Sequence, residues 1–172
     1  MSYTVKKLLL CLGLFMAALT LTGCKDEVVK VGEPAPGLTV LTLSGDTFQE
    51  KPWTAGGQYT YLNFWSSSCA PCMVELSHLE ALSQEYHDRV RILSINIDQK
   101  KAPLFASLSK FASAYPVLHD PLGITAERYL VQGTPASYII DDHGDVKKIH
   151  TGMRSFDELH ELFEVMAKKE MV

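Results

Sequence analysis

The sequence lacks most of what a metal-binding or disulfide-stapled scaffold requires. Among 172 residues there are four cysteines, and only Cys69 and Cys72 lie close together. A small disulfide-dense fold needs four or more cysteines spread along the folded chain. A structural zinc site needs four ligands, commonly a second cysteine pair or suitably spaced histidines. No second pair exists, and none of the six histidines stands at zinc-finger spacing from this one. There is no run of basic residues and the formal net charge is −4, so nothing points to nucleic-acid binding. Internal repeats and low-complexity blocks are absent too. With 47% hydrophobic and 21% charged residues, the composition is that of one well-packed globular domain, and nothing marks a second.

The N-terminus is the least ordinary part. "MSYTVKKLLLCLGLFMAALTLTGC" carries Lys6 and Lys7, then an apolar run from Leu8 to Leu19, then small or weakly polar residues, which is the layout of an export signal. The run falls short of the ~20 strong hydrophobes of a full membrane span, leaving an uncleaved anchor as the second reading. Leu21-Thr22-Gly23-Cys24 resembles the lipobox of bacterial lipoproteins, where cleavage leaves Cys24 as a lipid-bearing N-terminus. The expected organisation is a lipoprotein signal peptide at 1–23, a lipidated tether at 24–33 and a folded domain at 34–169, outside the cytoplasm on either reading.

That organisation disposes of two cysteines, because Cys11 leaves with the signal and Cys24 takes the lipid. Losing Lys6 and Lys7 leaves 14 basic residues against 20 acidic ones, a net charge of −6. Membrane association is therefore expected from the lipid and not from a polybasic patch. Lys25 stands where an aspartate would favour inner-membrane retention, which tips the expectation towards the outer membrane.

Leu38 to Leu43 alternates and ends at the turn residues Ser44-Gly45-Asp46, predicting an N-terminal hairpin. "YTYLNFW" from Tyr59 to Trp65 is aromatic-rich and reads as a buried strand. From Pro71 to about Tyr86, the residues Val74, Leu79, Leu82 and Tyr86 recur at helical spacing, and proline is tolerated in a first helical turn. Val90 to Ile97 predicts a strand. Pro103 to Ala114 predicts a helix with Leu104, Leu108, Phe111 and Ala112 on one face. A short extended piece at 116–118 and a helical turn from Ile124 to Leu130 follow. Ala136–Ile140 and Val146–Ile149, joined by Asp141-Asp142-His143-Gly144-Asp145, predict a hairpin. Ser155-Phe156-Asp157-Glu158 has capping-box spacing and opens a last helix to about Lys168. This order implies an α/β fold, a mixed sheet with helices on both faces.

A purely structural disulfide between Cys69 and Cys72 would close a tiny loop and stabilise little. The redox reading has physical reasons behind it. Cys69 at the start of a helix meets unpaired N–H groups and the positive end of the helix dipole, which favour a thiolate. Cys72, one turn further in, is better shielded. The two sulfurs then take unequal parts: Cys69 attacks a partner disulfide, and Cys72 resolves the mixed intermediate.

"FWSSSCAPC" followed at a distance by "GTPASYIIDDHGDV" resembles the thioredoxin superfamily, and more closely its exported TlpA/ResA-type branch of membrane-tethered thiol-disulfide oxidoreductases. "VGEPAPGLTVLTLSGDTF", "LNFW", "ILSINID" and "YPVLHDP" resemble the same branch, so the likeness runs from about residue 31 to 165. It implies a thioredoxin-like fold with an N-terminal β-hairpin extension and a redox-active Cys69–Cys72 disulfide. It implies that Pro135 is a cis-proline against the pair, with Thr134 presenting its backbone to the partner and Trp65 and Pro71 beside them. Glu75, one helical turn beyond Cys72, matches an acidic residue of this branch, which implies a carboxylate that takes or gives the Cys72 proton, where spacing alone equally allows a solvated helix-face glutamate; Asn63 stands where cytoplasmic thioredoxins have a buried aspartate. Ser68 departs from the pattern, since many relatives have tryptophan there. The implied partners are thiols and disulfides of envelope proteins, among them apocytochromes in cytochrome c maturation, with a membrane thiol reductase of the DsbD/CcdA type as electron donor. No cofactor is implied. Reduction is the implied direction, although direction depends on the potential relative to the compartment and not on the motif.

Two other classes compete. A copper-binding thioredoxin-like chaperone would pair the cysteines with a distant histidine such as His119, but such proteins usually space their cysteines by three residues and a lone loop histidine is more often exposed. A peroxiredoxin-like antioxidant shares the fold and the "APxxxL" opening. It needs a threonine and a proline ahead of its reactive cysteine, and Ser66-Ser67-Ser68 supplies neither. His78 and His87 are expected to face solvent, and Met153 and Met166 to pack inside.

Overall fold

Alternation along the first strands sets the sheet. In the computed structural model, which describes residues 27–51, 53, 57–109 and 114–171, β1 (Leu38–Leu41) buries Leu38 and Val40 and pairs antiparallel with β2 (Thr47–Glu50). The turn between them uses Gly45 at φ 103°, a conformation that suits glycine. β3 (Tyr59–Trp65) is buried along its whole length, as a strand covered on both faces must be. It runs parallel to β4 (Val90–Asn96) and antiparallel to β6 (Ala136–Ile140). β5 (Val117–His119) lies beyond β4, and β7 (Val146–Thr151) completes the hairpin with β6. The described strands form one mixed sheet in the order β2-β1-β5-β4-β3-β6-β7.

Because side chains of a strand alternate, β3 serves two cores. Tyr59, Tyr61 and Trp65 point to the face covered by α1 (Ala70–Tyr86) and α4 (Phe156–Lys168), where they meet Leu79, Leu82, Phe163 and Met166. Leu62 and Phe64 point to the other face, against Tyr129, Tyr138 and Val40. There Tyr129 Oη donates to the Pro36 carbonyl and Tyr138 Oη to the Tyr129 carbonyl, so both phenols are satisfied in an apolar setting. α2 (Lys101–Leu108) adds Leu104 to the first core, and α3 (Ile124–Arg128) lies on the second. α4 begins with the anticipated capping box: Ser155 Oγ accepts from the Glu158 N–H, and Glu158 Oε2 accepts from the Ser155 N–H.

Several expectations need correction. The buried face of α1 runs through Cys72, Glu75, Leu76, Leu79, Leu82, Ser83 and Tyr86. Val74 lies two residues from both Cys72 and Leu76, on the opposite side of the helix, and is 46% exposed. His87 is exposed as expected, but His78 is half-buried. Met166 packs inside, whereas Met153 is exposed. α3 stops at Arg128, before Leu130, whose φ of 53° cannot continue a helix. The helix expected to reach Ala114 is α2, described to Leu108; Phe111 and Ala112 lie outside the described residues, as do the signal peptide, Cys24 and Lys25.

The expected tether also ends early. Val29 is buried, its N–H donates to the Arg128 carbonyl, and Gly32 and Glu33 exchange backbone bonds with Val146. Residues 27–33 are therefore part of the folded body. No helix of the described residues is long and apolar enough to cross a membrane.

Candidate active site

The site forms where β3 ends and α1 begins. Cys69 is the N-cap of α1 with extended backbone, Ala70 and Pro71 occupy the first turn, and the Cys72 N–H donates to Cys69 Sγ at 3.2 Å. Proline costs nothing here because its missing N–H would have had no partner. Cys69 and Cys72 are joined as a disulfide. Cys69 is half-exposed and Cys72 is 1% exposed, so only one sulfur of the pair is open to attack. The first turn of α1 carries no charged residue, and the helix terminus is the favourable field offered to a Cys69 thiolate from within its own helix.

Facing the pair is the loop before β6. The Thr134–Pro135 peptide bond is cis, and the Thr134 carbonyl oxygen stands 3.4 Å from Cys69 Sγ. Thr134 is half-buried and Pro135 buried. Ser68 and Pro71 are exposed on the rim. Trp65 packs in the α1-side core with the pair, as a packing residue beside the site should, and with no exposed surface it cannot touch a partner, so its expected part in substrate binding falls away.

One helical turn beyond Cys72, on the same buried face, lies a carboxylate. Glu75, 1% exposed, accepts from Tyr61 Oη (3.0 Å) and Asn63 Nδ2 (3.1 Å) at Oε1, and from the Arg154 backbone N–H (2.9 Å) at Oε2. Asn63 Oδ1 in turn accepts from Ser94 Oγ. Burial pushes the Glu75 carboxyl above its ordinary range, opposed by the Arg154 N–H and the Tyr61 hydroxyl, then by the charges of Arg154 and His78. Burial, reinforced by the Glu75 charge, raises the Tyr61 phenol, which therefore stays a proton donor across the working pH range. Glu75 is thus held by two residues that its spacing to the motif did not reveal, Tyr61 and Arg154. Tyr61 was recoverable, since it lies two residues before Asn63 on the same face of a strand. Arg154 is 79 residues away from Glu75, and no local pattern signals it.

A second cluster holds the serine loop. Asp98 Oδ2 accepts from the Ser67 N–H (3.0 Å), Ser67 Oγ (2.5 Å) and Asn96 Nδ2 (2.9 Å). His119 Nε2 donates to the Asp98 carbonyl at 2.6 Å. His119 is therefore no exposed loop residue: it ends β5, is 1% exposed, and its Nε2 is committed to the Asp98 carbonyl. Asp98→Ala strands the Ser67 N–H. We expect about 1–3 kcal/mol lower stability in a urea melt and faster amide exchange at Ser67; unchanged exchange would show that the carboxylate does not hold the loop.

A family model matches residues 31–149, that of the AhpC/TSA family. The chain belongs to this family, within the thioredoxin superfamily. The thioredoxin-like protein YneN of Bacillus subtilis (strain 168) is 30% identical over 148 residues, 84% of this chain and 85% of that protein. The thiol-disulfide oxidoreductase ResA of Halalkalibacterium halodurans is 25% identical over 141 residues, 81% of this chain and 79% of its own length. A crystal structure from Chlorobium tepidum, described as a thiol:disulfide interchange protein DsbE, has a TM-score of 0.71 at 28% identity, covering 81% of this chain and 98% of that one. This thioredoxin-superfamily chain is a thiol-disulfide oxidoreductase of the ResA type, and its Cys69 and Cys72 stand at CxxC spacing, joined as a disulfide.

Proposed function

We propose that this oxidoreductase is a lipid-anchored reductant of disulfides in exported proteins, of the cytochrome c maturation type. Cys24 carries the lipid that holds it to the envelope, by preference the outer membrane, and a membrane thiol reductase of the DsbD/CcdA type returns its electrons. Cys69 attacks the partner disulfide; Cys72, losing its proton to Glu75, resolves the mixed disulfide. Pro135 and the Thr134 carbonyl bound the groove in which the partner chain lies, and Ser68 and Pro71 form its rim.

The observation that carries the reductive direction is the electrostatics around the pair. A strong oxidant such as DsbA owes its potential to a stabilised reduced form. Here the first turn of α1 is uncharged and the buried carboxylate of Glu75 lies one turn beyond Cys72, so a thiolate gains the helix terminus and no cation from that turn. The reduced pair is accordingly a ready donor. We expect a reduction potential below roughly −200 mV, away from the −120 mV region of strong oxidants; a value near the latter overturns the reductive reading.

The partner question has a direct test. Cys72→Ser leaves Cys69 able to attack and unable to release, so mixed disulfides accumulate and mass spectrometry of the trapped complexes names both substrate and electron donor. Apocytochromes and a membrane reductase are the expected captures. Absence of covalent complexes in cells would overturn the exchange role.

A further inference from the structure

Glu75 faces a problem that the cysteine pair does not. If it takes the Cys72 proton in each cycle, that proton must leave a carboxylate that is 1% exposed, and the groups bonded to it are all donors: Tyr61 Oη, Asn63 Nδ2 and the Arg154 N–H. None of these groups carries a proton away, because a phenol held well above its ordinary value, a carboxamide and a peptide N–H do not accept one.

One titratable side chain on the same helix is placed to do so. His78 follows Glu75 by three residues, which puts the two on one face of α1, and its charge is felt at the Glu75 carboxyl. His78 is half-buried. Its Nδ1 is fully buried without a hydrogen-bond partner, an arrangement that costs stability unless a water reaches the atom. The ring is held by an edge-on contact with Phe156 of α4, centroids 5.7 Å apart. Arg154, just before α4, acts on the same Glu75 carboxyl; Asp157 and Glu158 stand in the first turn of α4, the latter bound to Ser155, and His160 contacts the Phe156 ring.

We infer that His78 is the proton relay between Glu75 and solvent. This rests on the reading of Glu75 as proton acceptor. In the resolving step the Cys72 thiol gives its proton to the Glu75 carboxylate, and the Cys72 thiolate attacks Cys69 of the mixed disulfide. The Cys69–Cys72 bond forms as the partner leaves as a thiolate, which is protonated from water. The Glu75 carboxylic acid passes its proton through one bridging water to His78 Nδ1, and the imidazolium releases a proton from Nε2. In the reductive half-cycle the same route runs inward. Histidine suits this because its ordinary charge change falls between pH 5 and 8.

A relay changes rates and leaves equilibria alone, and the test uses that distinction. The reduced protein is oxidised in a single turnover by a peptide carrying a Cys-X-X-Cys disulfide, and the resolving step is timed by acid quench and mass spectrometry. His78→Gln is expected to slow resolution about tenfold or more at neutral pH, with the reduction potential unchanged and with imidazole buffer restoring the rate. His78→Phe, which keeps the ring packing on Phe156, should be equally slow and equally rescued, and His150→Gln should behave as wild type. An unchanged rate in both His78 variants, a slow step that imidazole does not rescue, or a rate loss that tracks a shifted potential overturns the relay. Glu75→Gln run alongside separates the two claims: if it too resolves at the wild-type rate, the Glu75 reading has failed; if only the His78 variants do, the relay alone has.

Discussion

Cys69→Ser abolishes turnover of disulfide substrates while leaving the fold close to its original stability. The loss is complete because the attacking species is a thiolate, and a serine hydroxyl at the same N-cap is not ionised at any pH the domain survives. Stability is spared for a separate reason. The bond closes a loop of sequence separation 3, and chain-entropy arithmetic gives such a small loop only about 2 kcal/mol. Serine is also a good N-cap, able to accept the Cys72 N–H that Cys69 Sγ accepts now. Insulin reduction followed by turbidity should fall to the uncatalysed rate, and a urea melt should show a midpoint change within that margin. Residual turnover above background would mean that Cys72, at 1% exposure, reaches substrates directly, and the assignment of unequal roles would be wrong.

That inequality is legible in the amino-acid sequence, because it depends only on a helix starting at the motif. Most of the sheet is legible for the same kind of reason: turn residues at 44–46 and 141–145 bound alternating segments, and Ser155 with Glu158 announces the start of α4. What escapes sequence reasoning involves partners distant along the chain. Val74 fits a helical period as well as its neighbours do, but which face is buried is decided by where Tyr61, Trp65 and Phe163 stand, and Val74 is left in solvent. His119 looks like a lone loop histidine until β5 pairs with β4 and brings it against the Asp98 carbonyl. The CxxC pair and its proline can be named from sequence and resemblance, whereas the seal around Glu75 exists only once β3, α1 and the segment before α4 are assembled.

That seal gives Glu75 a predicted pH signature. Burial raises its carboxyl above the ordinary value of 4.5, so the folded chain binds more protons than the unfolded chain between those two values. Stability therefore falls as pH rises through that interval: the contribution is complete below the ordinary value and gone above the raised one. Glu75→Gln removes this slope. The amide fits after one local change: its oxygen accepts the Arg154 N–H, its NH₂ donates to Tyr61 Oη, and Asn63 turns its own amide to accept from it and to face Ser94 Oγ with its nitrogen. The variant should fold, and urea melts from pH 4 to 8 should show the wild-type decline flattened. Without a proton acceptor, resolution at neutral pH should slow by roughly 100-fold, and the acid limb of the pH–rate profile should vanish with it. Glu75→Ala tests the seal itself. It leaves Tyr61 Oη, Asn63 Nδ2 and the Arg154 N–H buried without an acceptor, at roughly 1–3 kcal/mol each against a total stability of about 5–15 kcal/mol. Alanine should therefore be far less stable than glutamine at the same position. Equal melts for the two would show that water enters the seal and that Glu75 is not isolated, and a glutamine variant with wild-type turnover and an intact acid limb would remove it from the proton path.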